Sequence, residues 1–167
     1  EKLSTLPPDA REASQDAEND LGDFILIDVL GEGGSGVVYR AWQKSLRRYV
    51  AVKFLSIPNP ATLRRFECEA QLAAQLRHPN IVAVHEVNER NGKHYLVMDF
   101  IDGSAIGSAR LAMMPLLKAF VKVCRAMQFA HQKSIIHRDL KPANILYEES
   151  GEPAITDFGL ARVLSNE

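Results

Sequence analysis

Asp139, Lys141 and Asn144 fall within six residues of one another in the run His137-Arg138-Asp139-Leu140-Lys141-Pro142-Ala143-Asn144, and Asp157-Phe158-Gly159 begins thirteen residues after Asn144. Each side chain offers a distinct service at a phosphate centre. A carboxylate at Asp139 can orient an attacking hydroxyl or accept its proton, and the Lys141 ammonium can neutralise charge on a transferred phosphoryl group. Asn144 offers an amide oxygen and Asp157 a charged oxygen to a hard cation such as Mg2+, which keeps several waters and shares phosphate oxygens instead of demanding a cage made wholly of protein. A surface loop can carry such polar residues by chance, so their weight depends on what stands upstream.

Upstream stands Gly31-Glu32-Gly33-Gly34-Ser35-Gly36, between two apolar stretches. Backbone amides freed of side-chain bulk there can fold over a phosphate chain, although a glycine-rich hairpin is by itself equally a plain turn. No Gly-Lys-Ser/Thr ending follows, and the next element reads as a strand where a dinucleotide-binding turn would lead into a helix. Val38, two residues past the last glycine, would lie on the same face as a purine ring. Lys53 sits in the otherwise apolar run Val50-Ala51-Val52-Lys53-Phe54. A buried ammonium needs a partner, which phosphate oxygens and a carboxylate would supply; the bland reading is a lysine at a sheet edge with its head in water. Glu69, on the helix that follows, is the natural counter-ion, whereas Glu67, about 200° away around a helix, points elsewhere.

The elements that must position these groups are legible in outline. Residues 1–20, with Pro7-Pro8 and scattered Asp, Glu, Ser and Gln, lack apolar periodicity and read as a flexible leader. Residues 24–30, 37–42 and 49–55 read as successive strands, for which an antiparallel meander is the simplest topology. Asn59-Pro60 supplies a cap and first-turn proline for a helix in which Leu63, Phe66, Ala70, Ala73 and Leu76 recur at helical spacing. Strands over 81–87 and 94–100 flank Asn91-Gly92, a strong short hairpin signal. Beyond Asp102-Gly103, small residues dominate to Met114, and Leu117, Phe120, Val121, Cys124, Met127 and Ala130 mark a helix over 116–131. Short strands near 145–147 and 154–156 deliver the chain to Asp157.

Composition narrows the class. At 167 residues, 46% hydrophobic and 25% charged, the chain has the make-up of one ordinary globular domain. The net charge of −1 divides into six acids against two bases over residues 1–20 and fifteen against eighteen thereafter, a +3 remainder that suits a nucleotide but not a nucleic-acid stripe. Nucleic acid is therefore not an expected partner. Cys68 and Cys124 are too few for a disulfide framework and read as reduced thiols of a cytoplasmic protein. No run approaches eighteen apolar residues, so membrane insertion by this segment is not expected, although a parent protein could carry an anchor elsewhere. A chain that starts at Glu1 and stops eight residues after Gly159 reads as part of something longer.

Taken together, residues 24–163 resemble the protein kinase domain, and in particular the Hanks-type Ser/Thr kinases of bacteria. Gly31, Gly33 and Gly36 match its glycine-rich loop, Ala51-Val52-Lys53 its phosphate-anchoring strand, Glu69 its helix glutamate and His78-Pro79-Asn80-Ile81-Val82 the turn after that helix. Leu96-Val97-Met98-Asp99-Phe100-Ile101 resembles the gatekeeper and hinge, with Met98 as gatekeeper and backbone groups of Asp99 and Ile101 meeting the adenine edge. Lys141-Pro142 after Asp139 looks like the Ser/Thr form of the catalytic loop. The resemblance implies an α+β, kinase-like fold: a complete N-lobe over 21–101, with a five-stranded antiparallel sheet, one helix and the hinge, and the first part of a helical C-lobe over 102–167. It also implies ATP and Mg2+ as ligands and proteins bearing Ser or Thr acceptors as substrates.

The roles follow from the same resemblance. Val38, Ala51 and Leu146 would sandwich the adenine, Lys53 and Glu69 hold the α- and β-phosphates, Asn144 and Asp157 hold the metal, Asp139 receives the acceptor hydroxyl, and Lys141 faces the transferred group. Phe158 would stack beneath the helix of Glu69. Arg138 matches kinases controlled by activation-loop phosphorylation. Ala105 departs from the pattern, since many relatives present a polar group to the ribose there. The later segments of the family's C-lobe do not follow, so a nucleotide-binding regulatory or interaction fragment without turnover is the alternative reading. A small-molecule kinase of related fold is a third, disfavoured by the Lys141-Pro142 pair. Apolar positions such as Phe120, Val121 and Met127 are expected to lack partners in the isolated chain.

Overall fold

The computed structural model describes residues 6–33, 36–55 and 60–158. Their contacts form two compact units. The first holds the described residues up to Leu55 together with His85–Phe100; the second holds residues 60–84 and 101–158. The helix expected as part of a contiguous 21–101 lobe is thus grouped with the second unit.

The first unit is a six-stranded sheet in the order β1-β2-β3-β4-β6-β5, built from β1 (Asp20–Leu21), β2 (Phe24–Gly33), β3 (Gly36–Gln43), β4 (Arg48–Leu55), β5 (Val84–Arg90) and β6 (Lys93–Asp99). The expected five strands are all present, and β1 adds a two-residue edge that pairs Asp20 with Ile25. Asn91 and Gly92 join β5 to β6 at φ of 52° and 75°, the left-handed backbone that a two-residue hairpin turn of this kind requires. Strand alternation sorts the side chains. Phe24, Leu26, Ala41, Val50, Val52, Tyr95 and Val97 form a buried cluster, with Tyr39 and Phe54 packed against it.

The leader differs from expectation. Residues 8–13 form a helix, α1 (Pro8–Ala13), and a 3-10 turn follows at Ala17–Asn19. A six-residue helix has little stability of its own, so its ordering is tertiary. Ala10 is fully buried, and the Asp9 carboxylate accepts from the Tyr49 hydroxyl at 2.9 Å and pairs with Arg40 at 3.0 Å. Arg40 also reaches Asp28 through Nε at 2.9 Å and lies 5.2 Å from the centre of the Tyr49 ring.

The second unit contains α2 (Pro60–Ala73), α3 (Met113–Gln132) and a three-stranded antiparallel sheet of β7 (Gly103–Ala105), β8 (Ile145–Glu148) and β9 (Pro153–Ile155). The expected capping residue Asn59 lies outside the described residues, but the helix does begin at Pro60 and buries Phe66, Ala70 and Ala73, with Leu76 just beyond it. Between Ala105 and Met113 the chain forms no helix; the small-residue stretch instead opens with β7, which sequence propensity did not suggest. Gly103 permits that pairing, because a Cβ there would stand 2.5 Å from the Tyr147 carbonyl oxygen. One cluster joins Ala73, Leu76 and Ile81 to Ala119, Val123, Ala126 and Ala130 of α3 and to Ile145, Ile155 and Phe158. Ile81, expected in a strand, makes only an isolated parallel bridge to Ile155.

Candidate active site

In the first unit the candidate ligand-binding residues share a face. Val38 stands opposite Lys53, Ala51 opposite Met98, Gly31 opposite Val38 and Gly33 opposite Gly36. Because side chains alternate along a strand, these positions lie on one side of the sheet and the apolar cluster of Tyr39, Val52, Phe54 and Val97 on the other. Lys53, Ala51 and Met98 are buried. Glu32 alternates to the cluster side. Asp99, at the end of β6, accepts from the His85 ring at 2.7 Å, a contact between residues fourteen apart that no local motif signals. Ile101 is half-buried just beyond it. Gly34 and Ser35 lie outside the described residues.

The glycines have different reasons for being glycine. Gly36 has φ of +128° and an added Cβ would meet the Phe54 carbonyl oxygen at 1.8 Å, so the fold itself requires it. A Cβ at Gly31 or Gly33 would meet nothing within 4 Å, so packing does not. Bare backbone beside open space, on the face that carries Lys53, fits a phosphate chain.

In the second unit a hydrogen-bonded loop surrounds Asp139. Lys141 Nζ lies 2.8 Å from Asp139 Oδ2, and Asn144 Nδ2 donates to the Asp139 carbonyl at 2.8 Å and to its Oδ2 at 3.1 Å. The hydrogen bond from Lys141, with further help from Asn144, holds the Asp139 carboxyl below the usual carboxylate range. A 3-10 turn at Pro142–Asn144 brings Asn144 back to Asp139, and the Thr156 amide donates to the Asn144 carbonyl at 3.0 Å. That bond sets Asp157 beside the same loop. Since its amide nitrogen is committed to Asp139, Asn144 has its amide oxygen to offer a cation. Asn144 and Asp157 together form an all-oxygen donor pair, which fits Mg2+ shared with phosphate and water; among the described residues no group of three or more His, Cys, Asp or Glu could hold a metal alone.

His137 opens the catalytic-loop motif, and its position gives it a role that the motif alone does not assign. It is buried, its Nε2–H donates to the Thr156 carbonyl at 2.8 Å, and its Nδ1 accepts from the Asp139 amide at 3.3 Å. Burial lowers its pKa, which agrees with a neutral ring that donates at one nitrogen and accepts at the other. The ring of Phe158 lies 4.6 Å away, and Phe158 shares a cluster with Ala73 and Leu76 at the end of α2. Arg138 and Asp157 take left-handed backbone, φ of 67° and 61°, a conformation that costs on the order of 1–3 kcal/mol in a non-glycine residue and that the surrounding hydrogen bonds must sustain. The signal for His137 was faint: a histidine two residues before a polar loop residue is common. Glu69 lies on α2, but its side chain is outside the described residues. Leu146 is half-buried in β8.

The chain is similar to known proteins over most of its length. A family model described as the protein kinase domain matches residues 24–167. The chain is 37% identical over 153 residues to the serine/threonine-protein kinase PrkC of Bacillus subtilis, covering 87% of this chain and 24% of that protein. It is 37% identical over 156 residues to PknA of Mycobacterium tuberculosis, covering 86% and 36%. Among solved structures, the Mycobacterium tuberculosis PknI kinase domain superposes with a TM-score of 0.72 at 30% identity, covering 83% of this chain and 60% of that one. The apo form of PpkA-294 gives 0.79 at 27% identity, covering 88% and 62%. The chain thus spans about a quarter to a third of these curated relatives, and over that span it belongs to the protein kinase family, among relatives that are bacterial serine/threonine kinases.

Proposed function

We propose that these residues are the ATP-binding and catalytic-loop portion of a protein serine/threonine kinase whose whole chain transfers the γ-phosphoryl of Mg·ATP to Ser or Thr hydroxyls of proteins. The observation that carries this reading is the Lys141–Asp139–Asn144 set, in which one carboxylate is held ionised beside an ammonium and an amide. A carboxyl kept below its usual range is a weak base, so Asp139 acts chiefly by accepting the hydrogen of the acceptor hydroxyl and orienting its oxygen. In a loose transition state the hydroxyl loses little proton charge before the bond to phosphorus forms, and orientation is what the loop must supply. Lys141 sets positive charge next to that oxygen.

The remaining roles complete the reading. Bare backbone over Gly31–Gly36, including Glu32, Gly34 and Ser35, covers the phosphate chain, and the Lys53 ammonium, with Glu69 as its counter-ion, grips it. Val38, Ala51, Met98 and Leu146 give the purine apolar walls, and backbone groups of Asp99 and Ile101 read its edge. Asn144 and Asp157 hold Mg2+, which when bound neutralises phosphate charge. Residues 21–101 then act as the N-lobe with its hinge and 102–167 as the start of the C-lobe, in a cytoplasmic segment where ATP is available. Among the described residues no helix is long and apolar enough to cross a membrane.

The test is Asp139→Asn in the full-length parent: phosphate transfer to protein is lost while the Mg·ATP-dependent rise in melting temperature persists. Full activity in that variant overturns the assignment. Applied to the 167-residue chain itself, the same two readouts separate turnover from binding alone.

A further inference from the structure

The sheet face proposed to meet the nucleotide continues, past its purine walls, into a row of aromatic rings that the leader covers. β3 and β4 pair in unbroken register from Gly36 opposite Leu55 to Gln43 opposite Arg48. By alternation, Arg40 and Trp42 therefore share the face of Val38, and Tyr49 shares that of Ala51 and Lys53. The Tyr49 ring lies 5.0 Å from that of Trp42 and 6.3 Å from that of Phe100. One strand repeat, about 7 Å, separates Tyr49 from Ala51, and Lys53 lies one repeat further on. The rings thus adjoin the purine end of the face, away from its phosphate end. All of these groups belong to the first unit.

The leader is tied to this row. α1 packs along β2 with Ala10 fully buried, and Asp9 accepts from the Tyr49 hydroxyl and pairs with Arg40. Arg40 in turn bonds Asp28 and lies over the Tyr49 ring, so the Asp9 charge is compensated where it docks. A helix of six residues cannot hold itself, which gives the leader two states, docked and released. Docked, it fixes the Tyr49 ring and, through ring contact, Phe100, the residue after Asp99, whose backbone is assigned above to the purine edge. Released, it leaves those rings free to reorient, and a ligand that binds must then order them at the expense of its own affinity. We propose that the leader helix is an intramolecular effector of the nucleotide site: docking of Asp9 on Tyr49 and Arg40 strengthens purine binding, and a bound purine holds the leader down. This coupling rests on the nucleotide-binding role proposed for the face. By linkage, the factor by which docking strengthens binding equals the factor by which binding strengthens docking.

The experiment measures binding of adenosine and of Mg·ATP by calorimetry, to the 167-residue chain and to its Asp9→Ala variant. Alongside it, cleavage within residues 6–19 of the parent chain is timed with and without saturating adenosine, at a protease level that leaves the rest of the chain intact. Both ligands should bind the parent, and Asp9→Ala should weaken each by the same factor, at least about fivefold. Saturating adenosine should slow leader cleavage by at least that factor. An equal loss for the two ligands marks an effect at the purine end, whereas general loosening of the sheet would also disturb the phosphate contacts and weaken Mg·ATP more. The cleavage readout needs no variant, so it decides the question even where Asp9→Ala fails to fold. Unchanged affinities in the variant, leader cleavage indifferent to adenosine, a larger loss for Mg·ATP than for adenosine, or adenosine inert where Mg·ATP binds would each overturn the coupling and leave the kinase reading standing. Failure of both ligands to bind the parent chain would overturn the coupling and the nucleotide-binding role together.

Discussion

His137 donates its Nε2–H to the carbonyl oxygen of Thr156 at 2.8 Å, and so clamps the loop that carries Asp139 to the residue before Asp157. The clamp works only with a neutral ring, since Nδ1 must accept from the Asp139 amide. Burial pushes the folded-state pKa below the value of about 6.5 that the ring has in the unfolded chain. As pH falls through about 6.5 the unfolded chain takes a proton that the folded chain refuses, so stability is intact above that pH and declines below it. The decline from this one group approaches about 1.4 kcal/mol per pH unit. Urea melts between pH 8 and pH 5 should show that slope, and His137→Gln should remove it while costing about 1–3 kcal/mol at pH 8 through the hydrogen bonds left unmade. A variant that keeps the slope would show that the titrating group lies elsewhere.

Glycines of one motif should separate into two behaviours. Gly36→Ala drives a Cβ into the Phe54 carbonyl at a backbone angle that side chains avoid, and should cost at least about 1–3 kcal/mol of stability. Gly31→Ala and Gly33→Ala meet open space and should change stability by no more than about 1 kcal/mol. If the proposed phosphate cover is right, the two neutral variants are the ones that weaken the Mg·ATP-dependent melting shift. Thermal melts with and without Mg·ATP read both effects on the same samples.

Which parts of this molecule could be read from sequence follows from where the determinants sit. The Asn91-Gly92 turn is local chemistry, and the structure gives it the left-handed backbone that its residue types call for. The register of α3 is written in its apolar spacing, and the helix runs only a few residues past the expected ends, Met113–Gln132 against 116–131. The order of glycines, lysine, glutamate and catalytic loop was likewise legible, because each is a residue type at a fixed interval. β7 was not, since Gly103-Ser104-Ala105 has no strand propensity and becomes a strand only by pairing with Tyr147 and Leu146. The helix in the leader was hidden for the same reason: Asp9 finds its partners more than thirty residues away, at Arg40 and Tyr49. His137 is the sharpest case, because its role depends on a carbonyl nineteen residues later.

The leader contact makes its own prediction. Burial first, and then the hydrogen bond to Asp9, raise the pKa of the Tyr49 phenol above its ordinary value near 10. Asp9→Ala removes that hydrogen bond and the carboxylate charge with it, so ultraviolet titration should find Tyr49 ionising at lower pH than in the parent. The same variant should cost about 1 kcal/mol and speed proteolysis within residues 6–19, because Asp9 ties the short helix to Tyr49 and Arg40 of the sheet. Tyr49→Phe should reproduce the faster proteolysis. Unchanged cleavage in both would mean that Ala10 burial alone holds the segment.

One face of α3 carries Leu117, Phe120 and Val121, at three- and four-residue spacing, with exposures of 50%, 56% and 51%, and Met113 and Met114 are still more exposed at its start. Met127, expected to join them, instead packs against the cluster beneath. A contiguous apolar stripe of this size favours association, since covering it releases water from apolar surface at about 25 cal/mol per Å2. Sedimentation velocity should therefore show the 167-residue chain associating as its concentration rises. Leu117→Ser/Phe120→Ser should raise the concentration at which this begins several-fold while altering the melt by less than about 0.5 kcal/mol per site, because neither side chain contributes to the core. A sharply melting monomer at every concentration would mean that the stripe is too interrupted, by Lys118 on one side and Lys122 on the other, to act as a single surface.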